Sequence, residues 1–258
     1  MDNLSLSGAK IYFRIPFFGT YINITQTTIS LLVVTIILIT LAYFLGRNLK
    51  KRPGKMQVVT EKLVTMLYNM VGDTMGKHNM KFAPLIGTIF LSSIVGTLIG
   101  TTQLFRSTTA DLSVTLAWAL VVSAIVWYTS IKNSGFLSWL KGFTEPIVVM
   151  TPMNIVSEIA QPLSLAFRHF GNVAGGGVLT TLIYTSLSGL SAIVFGWLPG
   201  LLGEIPFFTA GIPAFLSIYF DLFSGFVQAL VFSLLTMVYV GSANPPPSEP
   251  VPEKEAAK

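Results

Sequence analysis

One arginine in this chain stands where a charge is expensive. Arg168 follows the apolar run 163–167, broken only by Ser164, and no formal charge follows it until Glu204. Arginine cannot shed its proton at reachable pH, so it stays a fixed cation. At about 100° per residue, Ser157, Gln161, Ser164, Asn172 and Gly175 all point within roughly 40° of Arg168. Glu158 sits at the margin of that stripe. A second stretch repeats the pattern, with Ser217, Asp221 and Ser224 within roughly 40° of Gln228. A single stripe is explained by hydrogen bonding between helices, and a lone arginine by an ion pair with Asp221 or Glu158. Two stripes, one holding the arginine and Glu158 and the other Asp221, point instead to a path for ions.

The acids differ in depth. If the first helix runs outward, Glu158 lies about 15 Å cytoplasmic of Arg168. If the second runs inward, Asp221 lies about 10 Å outward of Gln228. With Gln228 level with Arg168, the two acids flank the cation from opposite sides. That is the geometry of two half-pathways separated by a fixed charge. Gly171, Gly175, Gly176 and Gly177 leave the outer half of the first helix nearly bare, so another helix or water can approach it.

Elements long enough to hold such residues in a bilayer are easy to find. A hydrocarbon core takes about 20 residues of helix. The segments 28–45, 83–101, 112–131, 147–190 and 212–240 predict five crossings. The fourth is too long for a perpendicular crossing and predicts a tilted or broken helix, kinked at Pro152 and Pro162. Residues 57–75 place Val58, Leu63, Met66, Leu67, Met70 and Val71 near helical spacing, with Glu61, Lys62, Asn69 and Asp73 between. This predicts an amphipathic helix on the cytoplasmic surface. The basic cluster Arg47, Lys50, Lys51, Arg52 and Lys55, then Lys77, Lys81, Lys132 and Lys141, put those loops in the cytoplasm. Residues 1–27 then lie outside, 28–240 form the membrane domain, and 241–258, with five prolines, form a disordered cytoplasmic tail. An outer turn is expected over 197–211. The fold class is all-α membrane protein, with the last two crossings long and tilted.

Composition agrees. Of the 258 residues, 52% are hydrophobic and 10% charged, and mean hydropathy is +0.70. The net charge of +5 gathers beside apolar spans, which reads as orientation rather than affinity for nucleic acid. Cysteine is absent, so disulfides and thiolate metal sites are excluded. No HExxH zinc motif and no GxxxxGKS phosphate loop occurs, so neither a metal nor a cofactor is expected. An ion-coupled secondary transporter is the alternative reading, but it predicts inverted repeats with interrupted helices, and neither is visible. An intramembrane hydrolase lacks a histidine at suitable depth, His169 aside.

The run Ser164-Leu-Ala-Phe-Arg168-His-Phe-Gly-Asn172 resembles the signature around the essential arginine of the a subunit of F-type ATP synthase. Gln228-Ala-Leu-Val-Phe-Ser-Leu-Leu-Thr-Met-Val-Tyr239 resembles that family's final-helix signature, and Thr109-Ala-Asp111 with Thr115 resembles a third block. Order and spacing agree across residues 55–239.

The resemblance implies a stator, catalysing no covalent step by itself, beside a rotating ring of c subunits. Each c subunit carries a carboxyl that binds an ion in mid-membrane. The b subunits of the peripheral stalk and the other synthase subunits are implied partners, with protons, or sodium, as the ion. It further implies that the arginine attracts the deprotonated carboxylate and blocks a direct shunt. A positive neighbour stabilises the ionised carboxylate and so favours release. By the same resemblance Gln228 lies near the arginine, Asp221 lines the outer channel, and Glu158 lies near the inner one. Two departures stand out. His169 occupies a position that is usually leucine, either as an interface histidine or as a proton relay. Gly177 occupies a position that is often acidic, which leaves the outer channel to Asp221, Asn172 or water.

Overall fold

Thr25 opens the first membrane helix, its side chain accepting from the Thr28 N–H at 3.4 Å. The computed structural model describes residues 11–17, 20–47, 49–102, 105–145, 147–196, 207–209 and 218–246. Before the first helix, β1 (Ile11–Phe17) and β2 (Thr20–Thr25) pair antiparallel. This hairpin was not expected from the sequence. Its signal is there in retrospect: a run of Ile, Tyr, Phe and Thr at pleated spacing on either side of a glycine.

Among the described residues, seven α-helices follow: α1 (Gln26–Gly46), α2 (Lys55–Met75), α3 (Ala83–Thr101), α4 (Leu112–Ser134), α5 (Phe136–Gly142), α6 (Thr151–Phe195) and α7 (Ser224–Ala243). Five stretches among the described residues are long and apolar enough to cross a membrane: Gln26–Gly46, Lys77–Thr101, Leu112–Ser134, Val148–Phe195 and Ser224–Ala243. The protein is an all-α membrane protein with a small hairpin added. The short α5 was not foreseen.

Local chemistry sets the ends. Gly76 and Gly135 adopt φ of +83° and +81°, where only glycine is unstrained, and their N–H groups close the last turns of α2 and α4. The Asp111 carboxylate accepts from the Ser113 N–H at 3.0 Å and caps α4. Pro152 corrects an expectation. It sits in the first turn of α6, where its missing N–H costs nothing, and so starts that helix rather than kinking it. Pro162 does lie inside α6, yet the helix runs unbroken for 45 residues. At 1.5 Å per residue that is about 67 Å, roughly twice a hydrocarbon core, so tilting and not breakage accommodates the length.

The last crossing also differs from its expected span. Residues 218–223 form a π-helical turn, α7 begins at Ser224, and the helix continues to Ala243, beyond the expected end at residue 240. Most of the outer turn expected over 197–211, the stretch 212–217, and the tail beyond residue 246 lie outside the described residues.

Between membrane helices, packing and hydrogen bonds matter more than transfer from water. Ala119, Val122, Leu165, Ala166 and Phe232 join α4, α6 and α7 in one buried cluster. Val71 and Met75 of α2 join Ala83, Ile86, Met237 and Val240 in another. Farther along α2, Val58, Leu63 and Met66 stay exposed, so only one end of its apolar face docks on the bundle. Small residues permit close approach: a Cβ at Gly225 would lie 2.5 Å from the Thr97 side chain. A polar clasp fixes the end of α7. The Asn79 amide donates to the Asn244 carbonyl at 3.1 Å, and the Asn133 amide donates to the Ala243 carbonyl at 3.0 Å. The end of α7 therefore shares one side of the bundle with Lys77, Lys81 and Lys132.

Candidate functional site

The rotation of α6 decides what Arg168 faces. Pro162, Leu165, Ala166 and His169 are buried against the bundle. Arg168, about 100° around from His169, is left on the exposed side. Ser157, Ser164 and Asn172 are exposed beside it, while Gln161 and Glu158 are half-buried. The polar stripe read from the sequence is thus an open face. Arg168 has no hydrogen bond or ion pair with any described residue. A structural ion pair with Glu158 is not formed. Glu158 instead accepts from the indole N–H of Trp127 on α4, which pins it to the bundle.

Two of the expected residues meet directly. The Asn172 amide donates to Gln228 Oε1 at 2.6 Å, joining α6 to α7. Gln228 is 3% exposed and its Nε2 has no partner among the described residues. The level of Gln228 is therefore set by Asn172, about 6 Å along the helix from Arg168, and not by Arg168 itself. Asp221 lies seven residues earlier, on the π-helical turn. A wider turn interrupts the 100° periodicity, so projection from Gln228 does not give the direction of Asp221. The Asp221 side chain and Ser217 lie outside the described residues.

His169 is fully buried, with Nε2 3.1 Å from Ser93 Oγ. Its ring lies 5.2 Å from Phe232 and 6.2 Å from Trp118. Nδ1 has no partner among the described residues. Beside it runs a set of hydroxyls that the sequence reading missed. Thr97 Oγ1 lies 3.1 Å from Thr109 Oγ1, which lies 2.9 Å from Ser107 Oγ. Thr97 also donates to the Ser93 carbonyl at 2.9 Å. The signal available was the four-residue spacing of Ser93 and Thr97, which puts both on one face of α3. Trp127 gave none, since nothing in its neighbours marks which acid it would reach. On the Arg168 side of α6, a Cβ at Gly171 or Gly175 would meet nothing within 4 Å. That bare face is unoccupied by any described part of the chain.

Residues 27–241 match the family model described as ATP synthase A chain. This chain belongs to the ATP synthase subunit a family. It is 34% identical over 239 residues to ATP synthase subunit a of Bacillus subtilis (strain 168), covering 89% of this chain and 95% of that protein. It is 31% identical over 232 residues to the protein named ATP synthase subunit a, sodium ion specific, of Propionigenium modestum, covering 84% and 73%. ATP synthase subunit a 1 of Crocosphaera subtropica is 31% identical over 224 residues, covering 86% and 88%. A subunit a is a membrane-sector component of the synthase, works with its other subunits and is not catalytic on its own. The secondary-transporter alternative is thereby set aside.

Proposed function

We propose that this chain provides two ion half-channels and the fixed arginine of ion translocation, coupled to rotation of a c-subunit ring. Arg168 carries the reading: a permanent cation on the open face of a membrane helix, with no anionic partner among the described residues. A charge at the bilayer centre costs at least ~2.5–3.5 kcal/mol on insertion scales. A carboxylate on a passing ring subunit would offset that cost. Beside the cation its ionised form is favoured, so it releases its ion; away from it, in apolar surroundings, it takes one up again. Arg168 also repels any cation that would cross straight between the channels.

Asn172 and Gln228 hold the two helices together outward of the arginine, Ser164 and Gln161 line the approach from the other end, and Glu158 serves the inner channel. Asp221 serves the outer one. His169 we assign to positioning, because it faces the bundle and bonds Ser93 while Arg168 faces out. The peripheral-stalk b subunits are the stationary partners. The ion is a proton, with sodium as the alternative that the Propionigenium relative's name raises.

The direct test is cross-linking. The chain has no cysteine, so a single one at Ser164 can be paired with cysteines placed along the ring subunit. Disulfides should form near the ring carboxyl, and a product with a b subunit instead would reverse the assignment of faces.

The basic loops and the end of α7 share one side, which we place in the cytoplasm. With five crossings, the N-terminus is then outside. A cysteine at Ser248 should react with an impermeant reagent only in inverted vesicles; labelling of intact cells would overturn this orientation.

Depth separates the acids. Asp221→Asn keeps the volume and removes the titratable group, so pumping should slow in both directions. The loss should be partial, because water and Asn172 share that half of the path. Glu158→Gln should matter less, since the Trp127 bond survives the change. Pumping rate measured against outer pH separates the two, and wild-type rates in Asp221→Asn beside a dead Glu158→Gln would mean the channels are reversed.

A further inference from the structure

Where α3 begins and α4 ends, a half-open cleft of about 350 Å³ lies between them. Its floor is apolar, made by Phe82, Leu85 and Ile125. Its exposed mouth carries Lys81 and Lys132 with Tyr128 beside them, and the buried Thr129 lies deeper in the lining. Residues 125, 128, 129 and 132 recur at helical spacing, so one face of α4 supplies an aliphatic floor, two hydroxyls and a cation in turn. Lys81 comes from the other wall, its ammonium 5.1 Å from the Phe82 ring centroid. Neither lysine has an ion pair with any described residue, and the Tyr128 hydroxyl bonds none of them. Asn133, at the rim, is already committed to the α7 clasp.

We propose that this cleft binds the headgroup of an anionic phospholipid, its phosphate between the two ammonium groups and an acyl chain along the apolar floor. Lysines at helix ends are ordinary orientation signals that extend singly toward the interface. Here two from separate elements line one cavity at the end of the helices, above an apolar floor that suits the acyl chain of an amphipathic ligand. Basic pockets of this kind between membrane helices suit phosphodiester headgroups. A free phosphate would use the cations and leave the floor bare. A zwitterionic lipid would use the floor and bring its own cation against the lysines. None of these residues lies on the Arg168 face, so lipid here is independent of ion translocation there.

The test uses the purified synthase complex and a photoactivatable phosphatidylglycerol, with labelled peptides mapped in this chain. Label should fall within 81–85 or 125–133. It should be competed by phosphatidylglycerol and not by phosphatidylcholine or millimolar inorganic phosphate. Lys81→Gln with Lys132→Gln should cut it by about fivefold or more, the scale set by basic residues near anionic lipid. Lys132→Arg, which keeps the charge, should retain it. Lys50→Gln with Lys51→Gln removes equal charge from another loop and should also leave it intact. Displacement by inorganic phosphate would make this a free-anion site and overturn the lipid assignment. Equal competition by phosphatidylcholine, undiminished label in the Lys81/Lys132 double variant, or equal loss in the Lys50/Lys51 control would each overturn it too.

Discussion

Arg168→Ala should abolish ATP-driven ion pumping in reconstituted complexes, a loss of about a hundredfold or more, as when a preorganised charge stabiliser is removed. The chain itself should tolerate the change. The guanidinium bonds no described residue, and its side chain stands outside the buried clusters. Loss of pumping with unchanged membrane levels would therefore report a missing interaction with the ring and not a misfolded subunit. Arg168→Lys should fail almost as badly, because an ammonium lacks the planar fork and can lose its proton in a poorly solvated place. The neighbouring position gives the contrast. His169→Leu removes the bond to Ser93 but keeps much of the packing against Phe232. Leaving the buried Ser93 hydroxyl unpaired costs about 1–3 kcal/mol of stability. Most pumping should survive in the folded fraction if His169 only positions α6. Normal pumping by Arg168→Ala would remove the basis of the proposed function, and a dead but well-folded His169→Leu would make the histidine a relay.

The membrane helices were legible because the bilayer imposes one strong rule: about 20 apolar residues with charges at the ends. α3 was read from the sequence with both of its ends, Ala83 and Thr101, in place. Where a different rule governs, the reading slipped. Pro152 looked like a kink because a sequence does not say which turn of a helix a proline occupies. The turn over 218–223 is π-helical, and a 3.6-residue period cannot anticipate it, so the direction of Asp221 was projected through a break in periodicity. The polar stripe on α6 was legible, since a single uninterrupted helix preserves angle over many turns. Its neighbours were not. Ser93, Thr97 and Trp127 meet α6 and the loop before α4 across long separations in sequence, and only packing brings such partners together. The hairpin is hard to read from the sequence because strands announce themselves by alternation over few residues, a far weaker signal than a long apolar run.

Gly175→Leu should leave the subunit folded and stop it working. Gly175 lies within roughly 40° of Arg168 on the helical projection and about 10 Å farther along α6. A Cβ there would meet no atom of the described residues within 4 Å, so a side chain can leave the helix at this position without an immediate clash among them. Leucine is also the better helix former, by somewhat less than the ~0.8–1.0 kcal/mol that separates glycine from alanine in a helix interior. On the subunit alone the sign is therefore neutral to stabilising. In the assembled synthase it reverses, because a ring helix passing close to Arg168 would meet a branched side chain where it now meets bare backbone. Pumping should fall by more than about tenfold, since a displaced ring carboxylate loses the charge stabilisation that the arginine supplies. Gly189 provides the control: its Cβ also would meet nothing within 4 Å. It lies about 31 Å along the helix from Arg168, beyond the reach of a mid-membrane carboxyl. Gly189→Leu should pump at close to the wild-type rate. The measurement is ATP-driven ion uptake by vesicles containing equal amounts of each complex, with the thermal stability of the variants recorded alongside. Normal uptake by Gly175→Leu would mean that the ring does not approach this face, and that the open glycine surface beside Arg168 serves water alone.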